Sequence, residues 1–191
     1  MVEIPIYFLL FGYLLGISLA APPGPVNAMI ANESLKSKLH GTSVGAGAMT
    51  ADLIFFIIMF QIKKYITLTF LHILYLIGGF YLLYLSLGIL RSKMPSKKIS
   101  GNFFVGLTMG LTNPFQITWW ITVGLFMLNQ FSYISAVGFF LGIITWITVF
   151  PLGINKFLSG RFSELVKIFS FLTVLIFALI ILYYGVLYFI R

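Results

Sequence analysis

Six long apolar stretches, parted by short basic or prolyl interruptions, leave this chain one solvent in which to fold. A helix needs about 20 apolar residues to cross the hydrocarbon core of a bilayer. The runs at residues 4–21, 42–60, 65–90, 103–128, 133–154 and 165–190 supply that length, the first continuing past an interruption over 26–34. Composition agrees, with 60% hydrophobic residues, 8% charged residues and a mean hydropathy of +1.07 over 191 residues. The expectation is an all-α integral membrane protein of six transmembrane helices, with no room for a soluble domain beside them. The lipid bilayer is its first partner.

Several function classes fall away at once. The net charge of +8 comes from basic residues clustered between apolar runs, with no aromatic-basic platform. That pattern marks cytoplasmic loops rather than a nucleic-acid surface. The chain has no cysteine, so disulfides, thiolate metal sites and iron–sulfur clusters are excluded. His40, His72 and four acids make no persuasive zinc or calcium cage, so no metal and no cofactor is expected. Ser18-Leu19-Ala20 resembles a signal-peptide cleavage site, but the residues before it carry Glu3 and no Lys or Arg. The first run is therefore expected to be a retained helix.

Residues 20–32 read AAPPGPVNAMIAN, which places three prolines and a glycine between two apolar segments. Proline lacks an N–H, and its ring clashes with the carbonyl one turn back, so the entering helix should break near Pro22. Pro25 can open a new helix at no cost, with Gly24 giving the bend and N–H groups near Val26, Asn27 and Ala28 left unpaired. Such donors favour an anion, for example an amino-acid carboxylate. Asn113-Pro114 interrupts the fourth run, where Pro114 would free the carbonyl of Gly110 to accept from an ammonium or a water. Irregular backbone at membrane depth persists only where it is buried in protein or lines a wet cavity. Pro23, Gly24, Pro25, Asn27, Gly110, Asn113 and Pro114 are accordingly candidate substrate-binding residues, able together to hold a zwitterion.

The two halves resemble each other at an offset of 94 to 95 residues. Gly12-x-x-x-Gly16-Ile17-Ser18 falls on Gly106-x-x-x-Gly110-Leu111-Thr112, and Gly47-x-x-Thr50 on Gly142-x-x-Thr145. Three spans per half force the halves to enter from opposite sides, giving two inverted three-helix repeats, residues 1–98 and 99–191, with the first and fourth helices broken by proline. In transporters of that design, paired broken helices mark a binding site near the midplane. Nine basic residues, Lys36, Lys38, Arg91, Lys93, Lys97, Lys98, Lys156, Arg161 and Lys167, share one side, and three, Lys63, Lys64 and Arg191, share the other. Positive loops stay in the cytoplasm, so both termini are expected outside the cytoplasmic membrane. Glycines at this spacing also let helices pack closely, and a homodimer through those faces is left open.

Asp52 is the only acid in the body of an expected span, Glu33 standing at the end of the first. An ionised Asp there costs about 2.5–3.5 kcal/mol on insertion scales, and such residues are functional by default. Its repeat counterpart is Ile147, so the fold itself does not demand an acid. A carboxyl that is alternately protonated and paired with an ammonium is the simplest device for exchanging protons with substrate. His72 is expected to be a buried, hydrogen-bonded histidine. Gln116, Thr118, Trp119 and Trp120 follow the second break and are candidates to line a cavity, half of them facing lipid or neighbouring helices. Glu33, next to Lys36, is expected to be solvated.

These features in order resemble the lysine exporter (LysE-type) family of amino-acid effluxers, which includes homoserine and threonine exporters. The resemblance rests on Pro23-Gly24-Pro25 ending the first span, a basic segment, and a glycine-rich second span with Asp52. It continues through Gly78-Gly79-Phe80-Tyr81-Leu82-Leu83-Tyr84-Leu85, which looks like the family's GxxYLLYLG segment, and Leu111-Thr112-Asn113-Pro114. It covers most of the chain, the last two spans matching in hydropathy alone. It implies a six-helix inner-membrane exporter driven by a proton or ion gradient, and no enzyme. Many relatives have glycine where Ala51 stands and lysine where Phe115 stands. The second departure removes a charge that would bear on a substrate carboxylate, so the substrate is not carried over. The expected function is proton-coupled export of an amino acid or related metabolite at Asp52. A metal-cation exporter of the same architecture and a non-transporting membrane scaffold are the alternatives.

Overall fold

The computed structural model describes residues 6–91, 101–131, 133–154 and 160–190. The beginning of the first run at residue 4, the basic residues Lys93, Lys97, Lys98, Lys156 and Arg191, and the boundary between residues 98 and 99 lie outside the described residues.

Among the described residues the chain is helical, with no strand. Helix α1 (Ile6–Ala20) and helix α2 (Pro25–Lys36) are the two limbs of the prolyl break and meet at 81°. Ser37 ends α2 and begins α3 (Lys38–Ile62), and α4 (Leu68–Arg91) follows a short 3-10 turn. Next come α5 (Phe103–Thr112) and α6 (Pro114–Trp119), the latter running through a π-helical turn at Trp120–Gly124 into α7 (Leu125–Gln130). The chain closes with α8 (Tyr133–Leu152) and α9 (Gly160–Ile190). Among the described residues, four helical segments are long and apolar enough to cross a membrane, and the bent pair α1–α2 taken as one span makes a fifth.

Both interruptions follow from local chemistry. Pro25 occupies the first turn of α2, where its missing N–H is harmless. Asn113 caps α6, its Oδ1 accepting from the Phe115 N–H at 3.1 Å, with Pro114 again at the helix start. Gly24 departs from expectation. Its backbone is extended, a conformation open to any residue, so the bend does not draw on glycine's freedom. A Cβ there would meet only the Pro22 carbonyl oxygen, 4.0 Å away.

Where glycine matters is at the helix crossings. Helix α1 lies along α8 and α5 along α3. A Cβ on Gly12 or Gly16 would run into the backbone carbonyls of Ser135 or Phe139, and one on Gly106 into that of Val44. Lipid tails are as apolar as leucine, so helices in a bilayer associate through close backbone packing, which small residues permit. Helix α4 runs along α9, and α2 folds back on α3. Apolar side chains also cover the outside, with Leu10, Leu14, Ile57, Phe80, Val137 and Ile176 all exposed, a surface suited to lipid rather than water.

Glu33 corrects the sequence expectation of a solvated side chain, being 1% exposed. The turn at Ser37 folds α2 against α3, and the residues leading into α5 close over the carboxylate. It accepts from Lys36 Nζ at 2.7 Å and from the Gly101 N–H at 2.9 Å. Trp119 and Trp120 fall within theirs, which allowed for contact with neighbouring helices. Neither faces lipid, both being fully buried, and Trp119 stacks on Phe139 at 5.0 Å. The π-helical turn beginning at Trp120 is the kind of local irregularity often found at functional sites.

Candidate functional site

A cavity of about 240 Å³ lies between the prolyl break, the middle of α3, the end of α4, the start of α6 and the middle of α8. A single buried water needs only ~10–15 Å³, so the space suits a small solute. Its wall is mostly aliphatic and aromatic, from Leu19, Val26, Ile30, Met49, Phe115 and Ile143 among others.

Asp52 stands on this wall from the centre of α3 and is 4% exposed. Trp120 Nε1 donates to its Oδ1 at 2.9 Å. The Gln116 amide is a second donor to the carboxyl and also reaches the Ala48 carbonyl at 3.2 Å. Both partners are donors. They can serve a carboxylate, or the carbonyl oxygen of a protonated acid, so a proton can come and go without breaking the Trp120 bond. No basic side chain lines the cavity, and among the described residues Asp52 carries its one formal charge.

Asn27 also lines the cavity, but its amide is already engaged. Its Nδ2 donates to the carbonyls of Ala20 at 2.6 Å and Pro22 at 2.8 Å, and its Oδ1 accepts from Trp146 Nε1 at 3.0 Å. The last carbonyls of a helix have no partner within it, and Asn27 satisfies them across the break. It thus fastens α1, α2 and α8 to one another. The Ala28 N–H closes the first turn of α2 on the Gly24 carbonyl at 2.9 Å. Among the described residues that leaves the N–H groups of Val26 and Asn27, rather than all three expected, as the free donors of this helix start.

Pro23, Gly24, Pro25, Asn27, Asp52 and Asn113 therefore meet around one space, together with Gln116. Gly110 and Pro114 do not line it. A Cβ on Gly110 would stand 2.7 Å from that of Ala51, and its carbonyl, expected free, accepts from the Asn113 N–H at 3.3 Å. Gly110 is a packing residue, and Pro114 is exposed on the protein surface. His72 lies away from the cavity, half-buried rather than buried, with Nδ1 2.6 Å from the Leu68 carbonyl and its ring stacked on Tyr188 at 4.1 Å.

Sequence reasoning missed Trp146 entirely. A signal was present, because an offset of 94 places Asp52 on Trp146, one residue from the Ile147 taken as its counterpart. Among the described residues no three His, Asp or Glu side chains gather as metal ligands do.

Apolar helices long enough to cross a bilayer, enclosing a solute-sized space with a buried acid on its wall, define the class: a membrane protein that admits a small solute to its interior. The family model of the LysE type translocators matches residues 17–190. The chain belongs to that family, and is accordingly a multi-pass membrane transporter and not an enzyme. It is 31% identical over 154 residues to the protein named "Putative amino acid efflux protein YcgF" of Bacillus subtilis (strain 168), covering 70% of this chain and 73% of that one. No solved structure matches it.

Proposed function

We propose that this protein is a secondary active exporter of an amino acid across the cytoplasmic membrane, exchanging it for a proton at Asp52. The observation that carries the reading is a solute-sized cavity whose single formal charge is a buried carboxyl held by two donors. The family and the name of the Bacillus subtilis relative support export of an amino acid.

In the inward-facing state, an entering ammonium replaces the proton of Asp52, and the proton leaves to the cytoplasm. The substrate carboxylate takes the free N–H groups at Val26 and Asn27, where the helix start favours an anion. After the cavity turns outward, a proton from the outer solution returns to Asp52 and the ammonium departs. One proton enters for each substrate released. The aliphatic wall, with no second acid and no basic side chain, favours a neutral apolar side chain over a second charge.

The architecture proposed for this cycle is two inverted three-helix repeats, residues 1–98 and 99–191, with α5 to α7 forming the broken fourth span. The packing supports it. Helix α1 of the first half crosses α8 of the second as α5 of the second crosses α3 of the first, each at the glycines that the offset superimposes. Helices α4 and α9, the third of each half, lie on each other. The nine-to-three division of basic residues supports an orientation with both termini outside.

Transport in proteoliposomes tests the mechanism. Asp52→Asn is expected to abolish the dependence of amino-acid flux on a pH gradient. Flux equal to wild type that still follows the gradient refutes it.

A further inference from the structure

Two indole N–H groups cross between the halves of the chain beside the cavity. Trp120 Nε1, in the π-helical turn, donates to Asp52 Oδ1 on α3 at 2.9 Å. Trp146 Nε1, on α8, donates to Asn27 Oδ1 on α2 at 3.0 Å. All four side chains are more than nine-tenths buried. Trp120 stands 93 residues after Asn27 and Trp146 stands 94 after Asp52, close to the offsets that superimpose the glycines. Each bond is therefore the repeat counterpart of the other with donor and acceptor exchanged. In both, the segment after the break of one half is tied to the middle helix of the other half.

On the strength of the inverted-repeat exporter proposed above, we propose that the Trp120–Asp52 and Trp146–Asn27 bonds are the latches of the two opposite gates of the cavity. A two-fold axis lying in the membrane plane carries any contact to mirror depth, so one latch lies toward each face. A buried indole N–H has no water to bond while its side stays closed. Each bond holds as long as its gate is shut and gives way to water when the gate opens. The pair differ in their acceptors. The carboxyl of Asp52 changes charge when a proton or an ammonium arrives, and the Asn27 amide does not. The Trp120 latch therefore responds to the occupant of the cavity, whereas the acceptor of the Trp146 latch keeps its charge throughout. Both tryptophans act as positioning residues, Trp120 by holding Oδ1.

The absence of cysteine makes the test direct. Met49→Cys, on the cavity wall one turn before Asp52, provides a single thiol. Its labelling by a membrane-impermeant maleimide is compared in right-side-out and inside-out vesicles. Trp120→Phe is expected to raise the labelling rate from one face about tenfold, and Trp146→Phe to raise it from the opposite face by a similar factor, as loss of one net hydrogen bond implies. Increases from the same face, or face ratios that stay at the wild-type value in both variants, overturn the latches. A measurement on the native tryptophans stands beside it, because the three tryptophans give three indole resonances in 15N-labelled protein. The Trp120 resonance, assigned by its loss in Trp120→Phe, is expected to move in a pH titration while that of Trp146 stays still; no movement of the Trp120 signal overturns the proposal. If Met49→Cys with its tryptophans intact labels from one face only at every pH, the alternating cavity itself fails. Labelling from both faces with unmoved ratios in the tryptophan variants removes the latches alone.

Discussion

Gly12 and Gly88 both lie inside helices, and helix propensity alone would make alanine better at either by about 0.5–1 kcal/mol. The packing predicts opposite signs. At Gly12 an added Cβ would overlap the Ser135 carbonyl oxygen, with the carbonyl carbon at 2.7 Å and the Cα at 2.9 Å. Carbon atoms pack best at about 3.5–4.0 Å, so α1 and α8 must part by roughly 0.8 Å or more. Both obstacles are backbone, which cannot swing aside as a side chain could. Overpacking of this kind costs about 1–3 kcal/mol. Net of propensity, Gly12→Ala should lose about 0–2.5 kcal/mol. At Gly88 nothing lies within 4 Å of the new methyl, so Gly88→Ala should keep the propensity gain. At about 2–4 °C per kcal/mol for a chain of this size, Gly12→Ala should melt up to roughly 10 °C lower and Gly88→Ala roughly 1–4 °C higher. Both are measured by intrinsic fluorescence in one detergent at one scan rate, since unfolding of such proteins is often irreversible. Shifts in the same direction would refute the backbone crossing of α1 and α8.

Asn27→Leu leaves the Ala20 and Pro22 carbonyls and the Trp146 N–H without their side-chain partner. At about 1–3 kcal/mol for each unpaired buried group, it should lower the melting temperature further than Gly12→Ala does, and a smaller loss would show that the break does not depend on this fastening. Glu33→Ala strands the Gly101 N–H and Lys36, and should cost about 1–3 kcal/mol in the same assay; an unchanged melting point would place that carboxylate in water. Lys36→Cys should label from the cytoplasm and Lys64→Cys from outside, and the reverse pattern would invert the proposed orientation. In a thermal-shift panel of amino acids, neutral aliphatic ones should stabilise more than lysine or glutamate, with about 2.7 kcal/mol expected at a hundred times the dissociation constant. Strongest stabilisation by lysine would contradict the reading of the cavity wall.

Much of the helix pattern was legible because its causes are local. Runs of apolar residues mark helices a bilayer can hold, Pro25 opens α2 where proline costs nothing, and Asn113 caps α6 with its own side chain. Asp52 stood out for a similar reason, as an acid in an apolar run. Gly24 and Gly110 both read as parts of the site: Gly24 does line the cavity, though its bend needs no glycine, whereas the Gly110 carbonyl is not free. Glu33 reads as solvated because its neighbours in sequence are polar, whereas Gly101, far away along the chain, closes over it.

What the amino-acid order determined by itself was the solvent, the helices, the two breaks and the presence of one buried acid. Only the tertiary structure decided which glycines lie at crossings, which amide fastens the break, and which indole reaches Asp52 or Asn27. The physical reason lies in the reach of each cause. Transfer into lipid and the geometry of proline act on a residue and its neighbours within a turn, but a hydrogen bond between residues 68 or 119 positions apart exists only once whole helices have settled within a few ångströms of each other.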